Sequence, residues 1–518
     1  MMDKSKYGSK VDFSDFKLPA DFLFGASNAA FQVEGGYNRG DGPCNDWAEW
    51  ERTGKVEATL DACRFWDNYA EHIDKAASMG LNGFRMSLEW ARLQPTTSEQ
   101  KGAPPPWDEE ALDRYAEIVG AVIEAGMEPV ITLHHFTHPA WCGLDFWLDD
   151  DSADMLTTYA VKAADEVNQR LVKAGHRPIK LWVTLNEPNL LGPLAYFLGE
   201  HPHEKKGVPA ARMAAENLII AQVLSYNALH DLYDERGWES PMVSTTTYCA
   251  CFYNMDRAIL DILRAPSMGV DKADLGDYLM ARAKDWNRAF LEMAVTRFGR
   301  HSLQTYYYKL INYIYSKLSN ASHFSRAVDA VYDSPRKQLF DYLGLDIYDP
   351  FAGAYLMKLP TPRRIKEKEP ILRVALWENV YEPSEFGQVI RAHARDSGDI
   401  PVYIMESGMC HRQKKGGSPH QRFDGLTRDV FLKGMLGEIV KGLKEGLPLK
   451  GYFFWSLTDN YEWGSYEPRF GLHEYDFEAG KIMEKDGLGT AAGKSYSELI
   501  KVLRSGDEEN MRKAFTLY

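Results

Sequence analysis

Leu181-Trp182-Val183-Thr184-Leu185-Asn186-Glu187-Pro188 is an apolar run that stops on a polar pair and a proline. It has the length and character of a parallel strand covered on both faces. Pro188 cannot donate to a ladder, so the strand ends with Glu187 at its mouth. Further runs of this kind are Phe22–Ser27, Gly83–Glu89, Glu128–His135, Met242–Tyr248, Tyr342–Tyr348, Val402–Glu406 and Gly451–Leu457. Segments of helical period lie between them, among them Phe65–Met79, Glu109–Ala125, Met155–Ala174 and Ala210–Tyr233. Eight such units with no shift in composition favour one closed (β/α)8 TIM barrel over an open doubly wound sheet or several domains.

The rest of the chain fits that frame. Its 518 residues are 45% hydrophobic, enough to bury a large core and to exclude a disordered or fibrous chain. A net charge of −14 gives no field for phosphate backbones, so nucleic acid is a poor partner. No apolar run approaches the ~18 residues of a membrane span. The polar start, Met1 to Lys10, lacks the apolar region of a signal peptide, so we expect a cytoplasmic protein. Six cysteines do not make a disulfide framework, and all are expected to be reduced. The chain carries 13 Trp, 28 Tyr and 24 Phe, many beside polar residues at strand ends. Such surfaces suit ligands with apolar faces and polar edges, as sugars have.

Two stretches exceed a minimal barrel unit. Cys249–Leu339 is mostly helical in pattern and aromatic-rich, and Phe351–Pro383 reads as a long Pro- and Lys-rich loop. We take residues 1–518 as one domain, with a polar arm over 1–15 and a loosely ordered charged tail after about 505.

In such a barrel the site lies at the C-terminal ends of the strands. Strand two ends Arg85-Met86-Ser87-Leu88-Glu89-Trp90. Its two-residue period puts Arg85, Ser87 and Glu89 on one face and the apolar residues on the other. The apolar face packs on helices, so Arg85 points into the barrel, where a guanidinium needs an anionic partner. Strand three ends at His134-His135, and strand seven ends Ile404-Met405-Glu406-Ser407-Gly408. Strand eight ends Trp455-Ser456-Leu457, followed by Asp459-Asn460-Tyr461-Glu462-Trp463. Two carboxylates at the ends of separate strands, Glu187 and Glu406, are what glycoside hydrolysis requires. One protonates the leaving oxygen while the other attacks the anomeric carbon or activates water.

These residues resemble the family 1 glycoside hydrolases, the β-glucosidase/β-galactosidase family. Thr184–Pro188 looks like their acid/base motif and Ile404–Gly408 like their nucleophile motif. Phe24–Gly35 is similar to their N-terminal signature. Trp455–Trp463, with Arg469-Phe470-Gly471-Leu472 after it, is similar to their sugar-binding segment. The resemblance implies a (β/α)8 barrel that hydrolyses a small-molecule β-glycoside or oligosaccharide with retention, without metal or organic cofactor. By position, Glu406 would be the nucleophile and Glu187 the acid/base. Arg85 and Tyr348 would hold the nucleophile and keep it ionised. Gln32, His135, Asn186, Glu462 and Trp463 would hold the sugar over Trp455, and Trp377 would line the aglycone side. A homo-oligomer is left open, as are a transglycosidase using the same residues and a catalytically inactive sugar-binding barrel.

Three positions depart from the family pattern. Asp346 stands where Asn is usual, Phe136-Thr137 follow His135 in place of Trp-Asp, and Ser407 follows the nucleophile in place of Asn. Asp346 would raise the pKa of a neighbouring Glu or bind a different hydroxyl pattern. Phosphosugar members lack the sugar-binding Glu and carry Lys and Tyr shortly after it. Here Glu462 is present and Pro468 and Phe470 fill those positions, so an unphosphorylated glycon is expected. A metal site at His134, His135, His138, His201 or His203 is disfavoured, since adjacent strand residues point to opposite faces.

Overall fold

The computed structural model describes residues 11–40, 42–96, 104–318, 324–353, 376–395, 397–414 and 416–516. Parallel strands β1 (Leu23–Ser27), β2 (Gly83–Ser87), β3 (Glu128–His134) and β4 (Leu181–Leu185) follow one another around the sheet. β5 (Met242–Ser244) pairs with β4, whereas β6 (Thr246–Tyr248) pairs with β7 (Leu343–Asp346). The run expected as one strand over Met242–Tyr248 is therefore split at Thr245. The two halves turn to opposite neighbours, which brings the ring almost to closure. β8 (Val402–Ser407) and β9 (Leu449–Trp455) lead back to β1. The result is the (β/α)8 TIM barrel, with helices such as Phe65–Ser78, Glu109–Glu124, Ser152–Lys173 and Val208–Arg236 outside it.

Inside the lower barrel Val130, Leu181, Val183, Tyr342, Tyr403, Met405 and Phe453 form an apolar plug. Phe453 fits because Gly25 lies against it; a Cβ there would sit 2.3 Å from the ring. The plug excludes water from below and leaves the polar strand ends as its lid. β8 has Tyr403 and Met405 in this plug, so strict alternation would turn Glu406 outward. The ladder with β7 instead shows one extra residue in β8 between Ile404 and Glu406, and the ladder with β9 shows one between Ile404 and Ser407. This bulge re-aims the carboxylate toward the mouth of the barrel.

Cys249–Leu339 is helical as expected, with Ala258–Arg264, Leu275–Phe298, Leu303–Leu318 and Ser325–Asp333 standing over the strand ends. Most of the expected loop over Phe351–Pro383 lies outside the described residues. The tail differs from expectation. Glu508–Phe515 is a helix whose Met511 and Phe515 are buried, and Phe515 packs on Phe13 of the N-terminal arm at 5.1 Å between rings. Its charged residues cover a face whose apolar pair recurs at i, i+4. No described helix is long and apolar enough to cross a membrane.

Candidate active site

Arg85 projects from β2 into the barrel and is fully buried. Its guanidinium donates to Glu406 Oε1 at 2.6 Å, to Asn186 Oδ1 at 2.6 Å and to Thr132 Oγ1 at 3.2 Å. The Tyr348 hydroxyl donates to the other Glu406 oxygen at 2.9 Å. Glu406 is thus gripped at both oxygens, the arrangement expected of these residues. Glu89, expected on the same face as Arg85, lies two residues past the end of β2. It accepts from Thr137 instead, and burial pushes its carboxyl up to about 8.

Glu187 sits where β4 gives way to a short helix beginning at Pro188. Its φ is +43°, and its N–H donates to Thr246 Oγ1 at 3.0 Å. Phe136 and Trp463 also have positive φ, at 67° and 40°, and all three line the same cavity. Such strain costs roughly 1–3 kcal/mol per residue and persists where a site dictates the side-chain direction. Gly408 meets a related demand, since a Cβ there would lie 2.0 Å from the Trp455 carbonyl.

One oxygen each of Glu187, Asp346 and Glu406 lies within 4.8 Å of the others. The ladder places Asp346 of β7 directly beside Glu406 of β8. Asp346 is fully buried, with Thr246 and Glu187 beside its carboxyl. Burial, then the charges of Asp346 and Glu406, push Glu187 well above the ordinary carboxylate range. Burial and the Glu406 charge do the same to Asp346. Glu406 is raised by burial too, against the pull of Arg85 and Tyr348, and less than Glu187. The expectation that these two partners simply hold it ionised is therefore only half the account, because desolvation opposes them. Among the described residues this carboxylate trio is the grouping close enough to hold a metal ion, and no histidine belongs to it.

The sugar-binding expectations fall into one layer. Gln32 Nε2 donates to Glu462 Oε2 at 3.2 Å, and Trp455 Nε1 approaches the same oxygen at 3.4 Å. Burial raises Glu462 to about 8, with these two bonds working against it. His135 lies parallel to Trp455 and Trp463, its ring 5.8 and 5.9 Å from theirs. Burial first, then the Arg85 charge, hold it well below its usual pKa and so neutral. Asn186 bridges Arg85 and the Thr246 hydroxyl.

Trp377 packs against the cluster that holds Trp455 and Phe470. The cavity, about 980 Å³, is lined by Leu376 and Asn379 but not by Trp377. The Trp377 ring lies under the Arg412 guanidinium at 4.6 Å. Sequence reading missed Thr246 and Thr132, of which the first could have been found as a polar residue in an otherwise covered strand, and weighed His201 only as a metal ligand, whereas it lines the cavity. It also missed the apolar side of the cavity altogether.

The comparisons agree with this architecture. Glycosyl hydrolase family 1 matches residues 14–503. Beta-glucosidase A of Thermotoga maritima is 24% identical over 510 residues, 94% of this chain and 98% of that one. Probable inactive beta-glucosidase 14 of Oryza sativa subsp. japonica is 24% identical, over 92% of this chain and 90% of that one. The structure of the family 1 b-glucosidase from Thermotoga maritima superposes with a TM-score of 0.64 at 21% identity, covering 94% and 98% of the two chains. With two buried carboxylates facing each other at the mouth of a family barrel, the chain belongs to glycosyl hydrolase family 1 and is an O-glycosyl hydrolase.

Proposed function

We propose that this protein hydrolyses non-reducing terminal, unphosphorylated β-linked sugars of glucoside, galactoside or fucoside type by double displacement. The observation that carries the reading is the Glu187–Glu406 pair, with oxygens within 4.8 Å, one of them gripped by Arg85 and Tyr348. Retaining enzymes place their carboxyls ~5–5.5 Å apart, whereas inverting ones leave room for water at ~6.5–9.5 Å.

In the first step Glu406 attacks the anomeric carbon while Glu187 gives its proton to the departing glycosidic oxygen. The C–O bond to the aglycone breaks, and a glycosyl ester forms on Glu406. That ester has no charge, so one cause of the raised Glu187 pKa disappears. Glu187 now takes a proton from water, which attacks the same carbon and frees Glu406. Glu462, Gln32 and His135 would position the sugar hydroxyls over Trp455. Glu462, and Phe470 at the cavity wall, offer nothing to a 6-phosphate. We place the protein in the cytoplasm, a reading supported by six unpaired cysteines.

A panel of aryl β-glycosides (gluco, galacto, fuco, manno, xylo), followed by NMR of the first-formed anomer, tests this. Retention of β-configuration with loss of turnover in Glu406→Gln is expected. An inverted product, or wild-type turnover in that variant, overturns the mechanism. Comparable cleavage of a 6-phosphoglycoside and its parent overturns the glycon assignment.

A further inference from the structure

The cavity does not end at the carboxylates. Beyond Glu187 it opens into a chamber walled by Leu194, Ile219, Ile259, Ile262, Leu279 and Ile311. Leu194, Ile219, Ile262 and Leu279 are each no more than 8% exposed, and the other two are half-buried. The total of about 980 Å³ lies at the upper end of the roughly 300–1,000 Å³ of sites that enclose drug-sized ligands. A single sugar over Trp455 leaves most of it unfilled.

A second sugar in the chamber would need donors and acceptors for its hydroxyls, because buried polar groups without partners are costly. The polar side chain just past the acid/base is Asn189. Its amide nitrogen donates to the Tyr248 and Met255 carbonyls at 2.9 and 2.8 Å, and its oxygen accepts from the Tyr248 N–H at 3.2 Å. The amide is thereby committed to the backbone. The Tyr348 hydroxyl is committed to Glu406. Of the other polar lining residues, Lys55 and Arg212 are exposed, His201 stands against Trp463 on the sugar side, and the unpartnered Asn379 Oδ1 adds one acceptor, fewer than a second sugar's hydroxyls need. Trp50, an aromatic plane in the lining, is covered by the Lys55 ammonium 3.7 Å from its ring centre. The lip itself is apolar, with Phe197 57% and Val208 63% exposed.

We propose that the leaving group is a bulky apolar alcohol, an alkyl chain or hydrocarbon ring system, rather than a second sugar. This rests on the glycosidase reading above and names the other half of its substrate. The continuity of the chamber with Glu187 is what makes the occupant an aglycone, since a group in it is attached to the oxygen that Glu187 protonates.

The test is a series of methyl, butyl and hexyl β-glycosides of the sugar that the aryl panel selects, beside a β-linked disaccharide with the same non-reducing sugar. With the wild type, kcat/KM is expected to rise about fourfold per added methylene, in line with the burial of CH2 groups. The disaccharide is expected at or below the methyl glycoside. A flat series, or a disaccharide cleaved faster than the hexyl glycoside, overturns the proposal. Ile311→Asn, at a half-buried position, should flatten the slope within its own series; an unchanged slope counts against this wall. Aryl β-glycoside turnover that Glu406→Gln abolishes is measured alongside. If it is present, a flat series sinks the apolar leaving group alone; if it is absent, the glycosidase reading fails.

Discussion

The floor of the cavity and its far wall are built from different parts of the chain. The floor, with Glu187, Glu406, Asp346, Arg85 and Asn186, comes from strand ends whose relative positions are set by backbone ladders. The far wall comes from the segment after Glu187 and from helices, among them Val208–Arg236 and the insertion helices. A ladder fixes neighbours to within a hydrogen bond, which acid–base chemistry requires. Helices packing by apolar contact give volume and hydrophobicity but no such registration. The floor therefore holds the reaction, while the wall is suited to choosing what leaves.

This division can be broken most sharply at the floor. Glu406→Gln should lower kcat on the order of 10⁴-fold or more, because no other group forms the glycosyl ester. Steady-state turnover of an aryl β-glycoside checks it, with mass spectrometry of the denatured enzyme after a slow substrate to locate the ester. Glu187→Gln should cost about 10²–10⁴-fold on substrates with poor leaving groups, the usual worth of a general acid. The loss should be much smaller for a dinitrophenyl glycoside, which leaves unassisted. Equal losses on both would remove Glu187 from that role.

The wall should respond through stability. Leu279 is 2% exposed and lines the chamber, so Leu279→Ala is expected to cost about 2–5 kcal/mol. A denaturant midpoint that does not move would mean that the chamber relaxes freely around it.

The smallest effect is the most telling for the floor. The negative charge of Asp346 is among the causes that raise Glu187. Asp346→Asn removes that charge, so Glu187 should lose its proton at lower pH. The alkaline limb of kcat/KM should then move to lower pH, since the active form has Glu187 protonated. A limb that stays in place, or moves upward, would show that Asp346 is not charged when Glu187 titrates.

Much of the floor was legible before any coordinates. The inward face of Arg85 followed from alternation on β2, and its bonds to Glu406 and Asn186 meet that expectation. The stop at Pro188 correctly placed Glu187 at a strand mouth. Glu89 lies beyond the end of β2, as the extended N-cap of the Trp90–Leu93 helix, where the strand's alternation no longer sets a side chain's direction. For Trp377 the resemblance gave a side of the site but not the ring's neighbours, Arg412 and the Trp455 cluster, which only packing sets. The tail failed because charge was read as disorder, although Met511 and Phe515 share one helical face. The apolar wall was invisible, since its residues look like the ordinary buried stripe of each helix.

The amino-acid sequence by itself determined the order of the barrel units, the identities of the two carboxylates and the residues that grip them. Those are local patterns: runs, breaks and motif spacings. Only the tertiary structure decided that Glu406 faces inward at all, because the bulge in β8 reverses what its own alternation demands. Only the structure decided that three buried carboxyls meet, with burial and one another's charge raising Glu187 and Asp346, and that an apolar chamber lies beside them. Desolvation, charge proximity and cavity shape are sums over residues far apart in the chain, and no window of sequence contains them.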